Sequence, residues 1–226
     1  MTVTAFVPMK GHSARVPNKN IRPLAGKPLY HWITLSLLNA KRVDRVVIET
    51  DSDRIADDAK RSFPGLTILR RPKELWGDDT PMNKIIAFHM SEVPSDIYLQ
   101  THTTNPLLRS TTIDRSVDKF LAAGDHDSLF AVNVWRTRFF WTDGRPVNHN
   151  PDELLPTQDL PPLLEENSNI YIFTKESFAK RNHRIGKKPI MFEMEYAEAI
   201  DIDEMSHFKL ADALMTLRLE EETAAA

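Results

Sequence analysis

Apolar residues along the chain fall into short runs that alternate between two periods. Val3 to Val7 is a compact apolar run closed by Pro8, and after a polar stretch to Lys27 the residues Leu29 to Leu38 carry the spacing of one helix face. The same pair recurs as Val43 to Glu49, dense in β-branched residues, followed by Arg54 to Arg61 with Asp53 as the expected N-cap. Leu66–Leu69, Ile97–Leu99 and Ser128–Val134 read as further strands, and Pro81–Met90 and Ser110–Ala123 as the helices between them. Near the end, Ala199 to Glu204 alternates aliphatic and acidic residues as a strand would, before a helix from Met205 to Leu217. This strand-helix alternation predicts an α/β fold: a parallel sheet covered by helices, with ligands at the carboxyl ends of the strands.

Composition narrows the function more than the fold. The 226 residues suit one large domain, and no repeat or flexible linker divides them. Lys and Arg number 29 against 32 Asp and Glu, a formal charge of −3, which argues against a nucleic-acid partner. The absence of cysteine removes disulfides, thiolate metal sites and a Cys nucleophile together. No run approaches the roughly 20 apolar residues of a membrane span, and the first residues lack the pattern of a signal peptide, so the expectation is a cytoplasmic protein without a membrane partner. Glu220 to Ala226 reads as a frayed helix end or a non-native tail.

The loop after the first strand holds the most pointed chemistry. Lys10, Arg15 and Lys19 stand there with Gly11 and Ser13, a set that suits a polyphosphate, which wants point charges and backbone N–H groups around its oxygens. The alternative is a solvated loop of scattered charge. The spacings of a Walker A loop and of a dinucleotide fold are both absent. At the other end, a strand through Asp201 and Asp203 would put both carboxylates on one face about 7 Å apart, suitable for Mg²⁺. An N-cap for the last helix would explain one of the two. Trp135, Phe139, Phe140 and Trp141 lie in an irregular, Pro-rich stretch and read as an interface or as a buried aromatic corner. His12 reads as a backbone-positioning or solvent-facing residue before a base, His89 as a helix residue at a packing boundary, and His183-Arg184 with Lys187-Lys188 as a solvated basic turn first and a contact to an acceptor phosphate second.

Several segments together resemble the acylneuraminate cytidylyltransferase family. They are the first loop with Pro17, Lys19 and Asn20, Glu49-Thr50-Asp51-Ser52-Asp53, Arg71-Pro72, Leu99-Gln100 with Asn105-Pro106-Leu107-Leu108-Arg109, Gln158-Asp159-Leu160-Pro161, Asn167-Ser168-Asn169-Ile170-Tyr171-Ile172, and Asp201-Ile202-Asp203. They occur in the family's order from the first strand to the last helix.

The resemblance implies a three-layer α/β/α sandwich of nucleotide-diphospho-sugar transferase type, one domain over residues 1–226, with residues 135–166 protruding to pair two subunits as a homodimer. It implies CMP transfer from CTP to an acidic acceptor such as a sialic acid-like nonulosonic acid, with loss of pyrophosphate. By motif position Pro8, Met9, Lys10, Ser13, Arg15, Lys19, Asn20, Arg71, Thr80, Met82 and Gln100 would hold CTP. Gln100, Thr101, His102, Gln158, Asn167 and Asn169 would face the acceptor. Asp201 and Asp203 would carry Mg²⁺, and Lys10, Lys19 and Asp203 would be catalytic. A small phosphonate acceptor is the alternative, and a nucleotide-binding protein without catalysis a remote one.

The departures from the family pattern cluster around the phosphates and the acceptor. Met9-Lys10 stands for Ala-Arg, Ala14 for Lys and Arg15 for Gly. Pro156-Thr157 replaces a pair of Arg, His102-Thr103-Thr104 replaces Pro-Thr-Ser, and Asn169 replaces Ala. Lys is a compact charge and Arg a planar fork, so the exchange at Lys10 changes how a phosphate is gripped.

Overall fold

The computed structural model describes residues 1–77 and 79–225. Its centre is a seven-stranded sheet in which every second residue of a strand points into one of two cores. The chain enters on β1 (Val3–Met9), buried along its whole length. A two-stranded ribbon, β2 (Pro23–Leu24) and β3 (Lys27–Pro28), then leads into α1 (Leu29–Asn39). Next come β4 (Arg45–Thr50), α2 (Asp53–Ser62), β5 (Thr67–Arg70), α3 (Met82–Glu92), β6 (Ile97–Gln100) and α4 (Ser110–Ala122). β7 (Ser128–Trp135), β8 (Leu163–Phe173), α5 (Lys175–Arg181), β9 (Pro189–Glu193) and α6 (Met205–Ala224) complete the chain.

The sheet order is β5-β4-β1-β6-β8-β7-β9, parallel except for β8, which runs against both of its neighbours. Alternation assigns the faces. Ala5, Val7, Ile48, Leu99 and Ile172 pack with Ile33 of α1, Ile55 of α2 and Val117 of α4. Phe6, Val47, Tyr98, Tyr171 and Phe173 pack with Ile86 of α3 and Phe178 of α5. Two helical layers therefore enclose the sheet, and a third apolar group joins Leu29 and Trp32 of α1 to Phe208 and Met215 of α6.

Two local expectations change. The N-cap of α2 is Ser52, whose Oγ accepts from the Ile55 N–H at 3.4 Å, while Asp53 is the first helical residue and pairs with Arg70. Residues 199–204 are not a strand: the segment turns without regular structure between β9 and α6. Ile202 is the reason, because its fully buried side chain plugs the α1–α6 core while its N–H donates to the Thr104 carbonyl at 2.9 Å.

Residues 136–162 form an excursion between β7 and β8, whose pairing continues to Trp135 and Leu163. Asn148 stitches it together, accepting from the Phe139 N–H and donating to the Thr137 and Pro161 carbonyls. Its aromatics divide: Trp135 meets Phe139 and Tyr196 edge-on within the chain, whereas Phe140 and Trp141 are 56% and 59% exposed.

Candidate active site

The carboxyl ends of β1, β4 and β6 converge where the first loop crosses the sheet. Gly11 sits so close to α2 that an added Cβ would stand 2.7 Å from the Ser52 Cβ, and its N–H donates to Asp51 at 2.6 Å. Val16 anchors the middle of the loop in the core. Asn20 closes it from behind, its amide donating to the Lys10 carbonyl at 2.7 Å and accepting from the Thr103 hydroxyl at 2.6 Å. The Lys10 Nζ donates to the Gly77 carbonyl at 3.4 Å, and Arg15 pairs with Asp203 at 2.7 Å. Lys19 donates to the Ile202 carbonyl at 2.8 Å. Burial pulls the Lys19 ammonium below its ordinary value, against the opposing charges of Asp201 and Asp203.

The two aspartates therefore meet the loop even though they lie off any strand. Asp201 is largely buried, its Oδ1 has no hydrogen-bond partner, and burial, reinforced by Asp203, raises its carboxyl above the usual range. Among the described residues no three His, Asp or Glu side chains converge as a ready-made metal cage. Two carboxylates, one with an orphaned oxygen, fit a hard cation that takes its remaining ligands from phosphates and water.

Beside them opens a cleft of about 300 Å³ lined by Asn133, Glu165, Glu166, Asn167, Asp201 and Asp203. Asn167 bonds Asn133 at 3.0 Å, and the Asn169 amide donates to the Asn167 and Ala199 carbonyls, so Asn169 braces the floor from within. Gln100, fully buried at the end of β6, accepts from Arg184 at 2.7 Å and lies 3.0 Å from His102. Burial, aided by the positive charges of Arg184 and Lys19, holds the His102 imidazole neutral down to about 3.

The other expected residues divide. Pro8, Met9 and Thr101 have buried side chains, leaving only backbone for a ligand, and Ser13 stays partly exposed on the loop. Thr80 and Met82 stand at the start of α3, partly exposed. Gln158 is exposed on a 3-10 turn of the excursion. The Arg71 guanidinium points inward, bidentate to Glu49 at 2.6 and 2.8 Å, with its Nη1 unpartnered.

His89 completes that buried group 3.3 Å from Glu49 and stacks on Phe6, so it belongs to the core and not to a boundary. Burial would raise the Glu49 carboxyl, but its contacts with His89 and Arg71 outweigh this and hold it below its ordinary value. Arg184 is likewise no solvated turn residue: it lies over the Tyr171 ring, 3.4 Å from the centroid. Sequence reasoning also passed over Glu49, Glu166 and Tyr171 as site residues. Tyr171 carried a signal, since its alternation in β8 places it on the face opposite Ile170 and Ile172.

The site is thus a cationic loop facing paired carboxylates at the carboxyl end of a mostly parallel sheet, an arrangement of α/β proteins that suits a polyphosphate. The family model described as cytidylyltransferase matches residues 4–223, and the chain belongs to that family. It is similar to N-acylneuraminate cytidylyltransferase of Oncorhynchus mykiss, 29% identical over 89% of this chain and 48% of that protein. It is also similar to CMP-N,N'-diacetyllegionaminic acid synthase of Legionella pneumophila, 28% identical over 97% of this chain and 99% of that one. The chain thus spans about half the length of the fish relative and nearly all of the bacterial one. A solved structure of CMP:2-keto-3-deoxy-manno-octonic acid synthetase complexed with CTP matches with a TM-score of 0.71, at 14% identity over 96% of this chain and 100% of that one. At that identity the match bears on the fold.

Proposed function

We propose that this chain transfers CMP from CTP to a hydroxyl of an acidic sugar, of the sialic acid-like nonulosonic class, and releases pyrophosphate. The observation that carries the reading is the meeting of the first loop with Asp201 and Asp203 at the Ile202 carbonyl. In the reaction the acceptor oxygen bonds to the α-phosphorus, the bond to the β-phosphate oxygen breaks, and the hydroxyl proton is lost. Such a reaction asks for positioning and charge neutralisation more than covalent help.

Lys10, Arg15 and Lys19 would neutralise the triphosphate, with Ser13 beside them, and Asn20 would act by holding the loop closed. Arg71 would act through the segment it anchors, which runs on to Thr80 and Met82, and Gln100 would stand between nucleotide and acceptor. Asp201 and Asp203 would hold Mg²⁺, whose charge would offset that of the phosphates and the leaving pyrophosphate. The exposed Phe140 and Trp141 support pairing into a homodimer through the excursion, which would also set the place of Gln158. Among the described residues no helix is long and apolar enough to cross a membrane, and a cytoplasmic location is part of the same reading.

The test is pyrophosphate release with Mg²⁺ and CTP, UTP, ATP or GTP in turn, against sialic, legionaminic-type and phosphonate acceptors. Release with CTP that depends on an acidic sugar supports the proposal. Release only with a phosphonate changes the acceptor class, and no release with any pair overturns the proposal.

A further inference from the structure

The turn after α5 is built more firmly than a surface loop requires. Asn182 ends α5 in the left-handed region at φ 50°, and Arg181 clasps the Gly186 carbonyl at 2.6 Å. The N–H groups of Lys187 and Lys188 both donate to Asp127, at 2.8 and 2.9 Å, and the Gly186 N–H donates to Ser128. A Cβ on Gly186 would fall 2.2 Å from an Asp127 oxygen, so the chain passes there as closely as glycine allows.

What this framework presents is one cation. The Arg184 side chain is only 15% exposed, stacked on Tyr171, with Nη1 donating to Gln100 and 3.4 Å from His102. Its nearest carboxylate, Glu166, stands 3.8 Å from Nη2, is half-exposed, and already accepts the Tyr171 hydroxyl. A largely buried guanidinium whose nearest carboxylate stands at 3.8 Å is undercompensated, and a planar two-oxygen anion would complete its pairing. Glu166 also lines the cleft beside Asp201 and Asp203, and His102 feels both Arg184 and Lys19, so this cation borders the reaction centre.

We propose that Arg184, aimed by Tyr171 and Gln100, is the residue that recognises the acid group of the acceptor, binding its carboxylate through Nη2 and the adjacent edge. The inference rests on the acidic-acceptor reading above and adds the residue that would select for the acid. Arg184 is a specificity residue here, and takes no part in the transfer itself.

The experiment compares the acid and the methyl ester of two probes, N-acetylneuraminic acid and 3-deoxy-manno-octulosonic acid. Their binding to wild type and Arg184→Gln is measured by calorimetry in the presence of Mg²⁺ and CTP with its α,β-bridging oxygen replaced by a methylene. Wild type should bind one acid about tenfold or more tightly than its ester. Arg184→Gln should lose most of that preference while nucleotide affinity stays within about threefold, and Arg184→Lys should keep part of it. Acid preference retained in Arg184→Gln overturns the proposal. So does an equal loss of nucleotide and acceptor affinity, the mark of a structural role. If wild type binds neither acid and releases no pyrophosphate with any acidic acceptor, the reading of the function itself fails, a result distinct from both.

Discussion

At Gly11 the first loop and α2 touch without room for a methyl group. Gly11→Ala must push the loop off Asp51 and Ser52, and the loop's cations move with it. Steady-state assays should show the KM for CTP rising about tenfold, roughly 1.4 kcal/mol, with little change in the unfolding midpoint. Lys10 presents a different case. It follows β1 directly, and charge builds on the phosphate oxygens as the acceptor attacks, so a cation there helps the transition state more than the ground state. Lys10→Ala should lower kcat and kcat/KM together, and Lys10→Arg should keep much of the activity. A raised KM with unchanged kcat would make Lys10 a binding residue only.

The cationic loop was legible residue by residue because its members are near in sequence. Arg184 was legible only as a second reading, a contact to an acceptor phosphate, for its partner Gln100 lies 84 positions away and its neighbours His183, Lys187 and Lys188 imitate a solvated turn.

Between elements, the buried group of Glu49, Arg71 and His89 ties β4, the segment after β5, and α3 together. Removing one partner strands a charge in the core, whereas replacing both with apolar groups does not. Glu49→Gln should cost about 3 kcal/mol in denaturant unfolding, and the double change Glu49→Leu with Arg71→Met should cost less than that. A double variant less stable than the single one would contradict this account of the pair.

β1, β4, β5, β6 and β7 were readable because their apolar runs are short and dense, whereas the parallel edge strand β9 was missed, being short, opened by Pro189 and interrupted by the exposed Met191. β8 escaped notice because Glu165 to Asn169 interrupt its apolar pattern; its backbone pairs with β6 and β7, and Asn167 bonds Asn133 of β7 side chain to side chain. The Asp201 to Asp203 segment misled for a related reason: an alternating pattern over so few residues fits a strand and also a single aliphatic plug with acids on either side.

For the whole molecule, the buried His89 and the partly exposed His102 contribute to the response to acid. Burial lowers both His89 and His102 from the ordinary value of 6.5, and His102 stays neutral in the folded state down to about 3, while the unfolded chain takes up protons near 6.5. The unfolded state then binds more protons, and stability falls as pH drops below 6.5, by up to about 1.4 kcal/mol per unit from His102, with His89 acting in the same direction. Denaturant midpoints should fall from about pH 7 to about pH 4, and His102→Asn should flatten the slope. The same scale holds the assembly question. If Phe140 and Trp141 are buried by a second copy, sedimentation should give a dimer, and Phe140→Ser with Trp141→Ser should give a monomer with an intact fold. A wild-type monomer that is fully active would remove the pairing from the account.

The central claim is nucleotidyl transfer to an acid, and phosphorus NMR of CTP incubated with the protein, Mg²⁺ and an acidic sugar reads it directly. One new phosphodiester resonance should grow in step with one equivalent of pyrophosphate, and neither should appear when the sugar is omitted. CTP left intact with every acidic sugar, or split to CMP and pyrophosphate equally fast without one, would contradict the claim.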